Sequence, residues 1–98
     1  MLERLTAEQF APLLDTVFEV ARDGHEPLRL RLAEIGRYPR SGVGYRAEPF
    51  SLIFVGDGGE LLPQHIYRLE HADLAPLEIF LVPLARAAEG VRYEAVFN

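Results

Sequence analysis

The chain reads as a mainly β domain of about six antiparallel strands that form a small sandwich or barrel, with one short N-terminal helix. Three observations predict this. Leu28, Leu30 and Leu32 alternate with Arg29, Arg31 and Ala33, the two-residue period of a half-buried strand. The other apolar runs are of strand length and are bounded by Gly, Pro and Asp. Turn signals recur at the spacing of small antiparallel folds. With 98 residues, the chain is one β-rich domain over 1–98, and 49% apolar residues supply a core without cross-links. It contains no cysteine, which excludes disulfides, thiolate metal sites and cysteine nucleophiles.

Taken in order, Thr6 and Gln9 fit a capping box, and Leu5 with Phe10 a hydrophobic staple. Pro12 confines the helix to Ala7 to Leu14, and Phe10, Leu13 and Leu14 form the face expected to cover one end of a sheet. Thr16 to Arg22 is a strand, and the Asp23-Gly24 step after it is a hairpin signal. The alternating strand from Leu28 follows. Gly36 to Glu48 carries three glycines, Pro39 and Ser41 and predicts an irregular loop. Phe50 to Val55 is a strand that ends at Gly56-Asp57-Gly58-Gly59. The stretch from Leu61 to Pro83 predicts a hairpin with a five-residue connection, Ala72 to Pro76. Its second arm, between Pro76 and Pro83, is the most hydrophobic segment and is expected at the centre of a sheet. Ala85 to Gly90 is a connection, and Val91 to Phe97 the last strand.

The net charge of −5 argues against nucleic acid as a partner, since phosphate binding needs a positive footprint. Arg29, Arg31, Arg37, Arg40 and Arg46 against Glu34 give residues 29–46 a net +4, which leaves −9 elsewhere. The N-terminus has no apolar signal-type core, and no segment approaches the ~20 apolar residues that span a bilayer. A cytoplasmic protein with no membrane partner is expected, with incorporation into an exported assembly left open.

Few chemical constellations stand out. His65 and His71 share a face of one strand, but six residues of extended chain put them ~20 Å apart, too far for one metal ion. Glu70, Asp73 and Glu78 read as solvated carboxylates or partners of Arg68. Ser41 and Ser51 lack a nucleophile-elbow context, and a chain without Lys has no P-loop. No catalytic residue, metal or cofactor is therefore expected. Two candidate surfaces remain. Arg37, Tyr38, Arg40, Tyr45 and Arg46 in the irregular loop are the residue types that carry binding hot spots and suit an acidic protein surface. Ile53, Val55, Phe80, Val82 and Val96, with Val17, give several strands a second apolar face. A sheet with one wet face lacks this, so the face is covered internally or meets a protein partner or a second subunit. A protein-interaction or structural module is the expected function. A small-ligand carrier lined by Phe50, Phe54, Phe80 and Tyr93, or an enzyme using His65, His71 and Glu70, are the alternatives.

Several segments together resemble a family of small bacterial proteins known only as a domain of unknown function. They are Leu5-Thr6 with Phe10, Glu48-Pro49-Phe50-Ser51-Leu52, Leu62-Pro63-Gln64, Tyr67-Arg68-Leu69-Glu70-His71, Leu77 to Pro83 and the ending Tyr93-Glu94-Ala95-Val96-Phe97-Asn98. The ending is the most specific of these, and Gly36 to Ala47 shows no match. The resemblance implies a single-domain protein with no catalytic residues to carry over. It also implies a structural or assembly role, through genes for tail-collar-type fibre proteins beside those of family members; that is association rather than mechanism.

Overall fold

The structure, a computed structural model, describes residues 5–38, 49–57 and 60–97. It contains α1 (Ala7–Phe10), a 3₁₀ turn (Ala11–Leu13), β1 (Val17–Val20), β2 (Leu28–Arg37), β3 (Phe50–Gly56), β4 (His65–His71), β5 (Leu74–Ala87) and β6 (Gly90–Phe97). The strands close a barrel in the order β1-β2-β3-β6-β5-β4, and each neighbouring pair is antiparallel. The expected alternation sets the inside of the barrel. Phe18, Val20, Leu28, Leu30, Leu32, Phe50, Leu52, Phe54, Leu69, Ile79, Leu81, Val91, Tyr93 and Ala95 are buried in one cluster.

Both ends of this cluster are closed by local chemistry. At one end the Thr6–Gln9 capping box starts α1: the Thr6 N–H donates to Gln9 Oε1 at 2.8 Å, and Thr6 Oγ1 accepts from the Gln9 N–H. This delivers Phe10, which is fully buried, to within 6.0 Å of Phe50 and 6.4 Å of Phe97. The helix thus plugs the barrel mouth, and Pro12 lies inside the 3₁₀ turn that follows. Toward the opposite end Leu62 is buried, and its N–H donates to Tyr93 Oη at 2.9 Å.

Several boundaries differ from the sequence expectation, each for a local reason. First, β2 runs through Gly36 and Arg37. A bulge between Leu32 and Glu34 lets both Leu32 and Ile35 stay on the inner side. Second, β5 passes through both prolines and is 14 residues long. It pairs with β4 up to Leu81 and with β6 from Val82, and Pro83 sits at the bulge where it has changed partner. A proline has no N–H to lose there, so it bends the strand and does not end it. The apolar arm accordingly belongs to a strand with a neighbour on either side, in a closed sheet that has no edge. Third, the hairpin turn between β4 and β5 is two residues, Ala72 and Asp73, where five were expected. The Asp73 N–H donates to His71 Nδ1 at 3.0 Å.

The expected connection Ala85 to Gly90 is likewise reduced to a turn at Ala88 and Glu89 before β6. Gly90 has φ 135°, and a Cβ there would lie 1.7 Å from the Gly56 carbonyl oxygen, so the position accepts only glycine. The barrel closes between β1 and β4 through two register pairs, Glu19 with Glu70 and Val20 with Leu69.

A candidate interaction surface on the outer wall

The outward positions of the strands align across the ladders. Gly36 on β2 faces Ser51 on β3, Ser51 faces Val96 on β6, and Phe80 on β5 faces Ile66 on β4. Val82 faces Glu94 and is where the pairing of β5 with β6 begins, so Phe80 and Val96 each lie two residues beyond that pair on neighbouring strands. Ile66 and Phe80 are thus a direct cross-strand pair, and with Val96 on the adjoining strand they make a row of outward apolar residues exposed by 56%, 48% and 52% respectively, with Val82 half-buried. Tyr38 lies over the far end of the row. Its hydroxyl is 3.0 Å from the Oγ of buried Ser51, and a Cβ on Gly36 would lie only 2.8 Å from that Oγ.

Ile53 and Val55 do not join this surface, although both point outward. They are only 8% and 4% exposed, which corrects the expectation that they meet a partner. Glu34 on β2 is level with Ile53, and Arg92 on β6 is level with Val55. An Arg92–Glu34 ion pair of 2.9 Å therefore reaches across β3, with Arg31 opposite Val55 and Glu94 opposite Ile53 on the flanking strands. Glu89 lies 3.6 Å from the same guanidinium. Hydrogen bonding to Glu34 raises the Arg92 pKa above its ordinary value.

The loop candidates divide differently. Arg37 is in β2 and forms an ion pair of 2.6 Å with Glu8 of α1, so it ties the helix to the barrel. That hydrogen bond, helped by one from the backbone N–H of Glu8 itself, lowers the Glu8 carboxyl below its ordinary range. Tyr38 keeps about half of its surface exposed while it caps Ser51. Arg40, Tyr45 and Arg46 lie outside the described residues. Ile66 is a surface residue that the sequence reading missed. The available signal was its place as the apolar member of an outward series with Gln64, Arg68 and Glu70.

The groups with chemical potential are engaged in packing. His71 Nδ1 accepts from Asp73, so in the neutral ring Nε2 carries the proton and donates to Thr16 Oγ1 at 2.9 Å. The Thr16 hydroxyl in turn donates to the Leu13 carbonyl at 2.6 Å, and the His71 ring packs 4.6 Å from that of Phe18. His65 packs edge-on against Tyr67, whose phenol is pushed up by burial, and Glu70 accepts from Arg68 at 3.3 Å. A groove of about 370 Å³ on the outer wall is lined by Val17, Glu19, Arg29, Glu70, His71 and Ala72. Among the described residues no three His, Asp or Glu side chains are grouped to hold a metal ion. Nor is any helix among them long and apolar enough to cross a membrane. Of the four residues expected to line a ligand cavity, Phe50, Phe54 and Tyr93 are fully buried in the packed interior, whereas Phe80 is on the outside.

Neither the curated proteins nor the solved structures contain a match to this chain. Residues 5–97 match the model of a family described as a domain of unknown function, DUF6916, and the chain belongs to that family.

Proposed function

We propose that this domain is a non-catalytic protein-interaction module whose contact surface is the row Val96, Phe80 and Ile66. The observation that carries this reading is a contrast on one wall of the barrel. The outward apolar residues of β3 are covered by an ion pair, while those of β4, β5 and β6 are left half exposed and adjacent. Contiguous exposed apolar groups of this kind mark interaction sites on small domains. A structural or accessory role in a fibre-like or phage-tail-like bacterial assembly is the setting that the family resemblance suggests, and it suits a domain that works through a surface.

The test compares wild type with Phe80→Glu in affinity capture from the native host, quantified by mass spectrometry, with solution molar mass measured in parallel by light scattering. We expect a protein held by wild type and lost from the variant. Identical captured sets and identical molar masses for the two proteins would overturn the proposal.

A further inference from the structure

The charges beside the exposed row specify its occupant, and this inference rests on the interaction reading above. Outward residues recur at every second position, about 7 Å along a strand. The outward neighbour of Val96 on β6 is Glu94, and that of Phe80 on β5 is Glu78. Neither carboxylate makes an ion pair among the described residues. Arg68, beside Ile66 and directly opposite Glu78 in the ladder, is held by Glu70 at 3.3 Å, so one guanidinium stands between two carboxylates. The row therefore has an apolar centre and a rim in which carboxylates outnumber the one guanidinium, on a chain of net charge −5.

We infer that this surface takes a segment of a different protein in which apolar side chains are flanked by Lys or Arg. Such flanks would pair with Glu78 and Glu94 at the rim while the apolar residues cover Phe80 and Ile66, and the negative field of the domain would speed the encounter. A second copy of this chain fits poorly. A two-fold contact sets the same patch against itself, which would gather two Glu78 and two Glu94 carboxylates around one dehydrated centre.

The experiment selects binders from a displayed random-peptide library on the immobilised full chain. Enriched peptides are then titrated against wild type, Phe80→Glu, Ile66→Ser and the double variant Glu78→Lys/Glu94→Lys, each first checked for unchanged thermal unfolding. The expected peptides carry aromatic or aliphatic residues with basic flanks and lose at least about tenfold in affinity on Phe80→Glu and on Ile66→Ser. Their binding weakens with salt, and the double variant prefers acidic flanks instead, by about tenfold. Peptides that bind Phe80→Glu and Ile66→Ser as well as wild type would overturn the surface itself, and the proposed function with it. Peptides lost on those variants but indifferent to flank charge would leave the surface standing and overturn the basic partner. Failure to enrich any peptide, or a wild-type dimer dissolved by Phe80→Glu, would also overturn it.

Discussion

Tyr93 shows how much one side chain does in this barrel. Its ring is fully buried, and its hydroxyl accepts from the Leu62 N–H at 2.9 Å and lies 3.4 Å from the Glu60 carbonyl. Tyr93→Phe leaves the Leu62 N–H buried without that partner, a loss of about 1–3 kcal/mol. Chemical denaturation checks the loss, and a change below about 0.5 kcal/mol would show that the hydroxyl is replaceable. The alternation of the last strand made the ring's inward direction legible in the sequence. Its hydrogen bond was not, because the partner lies 31 residues earlier in an irregular stretch. Ile53 and Val55 make the same point from outside. Their apolar, outward character could be read from the pattern, but their cover comes from two other strands whose alignment depends on a bulge.

Among the elements, α1 and β5 separate what local pattern settles from what pairing decides. The capping box of the helix was legible because both partners lie within three residues of each other. Pro76 and Pro83 were legible as interruptions, yet β5 continues through them because its partner changes from β4 to β6. Arg37, read as a partner contact, fastens β2 to the helix through Glu8. That tether has a pH signature. The folded-state pKa of Glu8 is depressed, so its contribution is present above the ordinary carboxylate range and is lost as pH falls through the lowered value. Carboxyl-detected NMR should show Glu8 titrating below the ordinary range and returning upward in Arg37→Gln. An unmoved titration in that variant would dismiss the tether.

For the molecule as a whole, the all-β character and the strand count were legible, while the choice between a sandwich and a barrel was not. That choice rests on a bend at Pro83 and on β1 meeting β4 across a long sequence separation. The seam between those two strands is short: two register pairs, supplemented by the Ala21 N–H donating to the Arg68 carbonyl at 3.1 Å. β3, by contrast, is paired along its whole length on both sides. Native-state hydrogen exchange should find the Ala21 amide opening locally, with little dependence on denaturant, while β3 amides exchange only through global unfolding. Equal behaviour at the two places would refute this. Opening that short seam turns the ring into an open sheet whose two freed strand edges present bare backbone to other chains. Solubility at high concentration then hangs on how seldom a four-residue strand lets go of its neighbour.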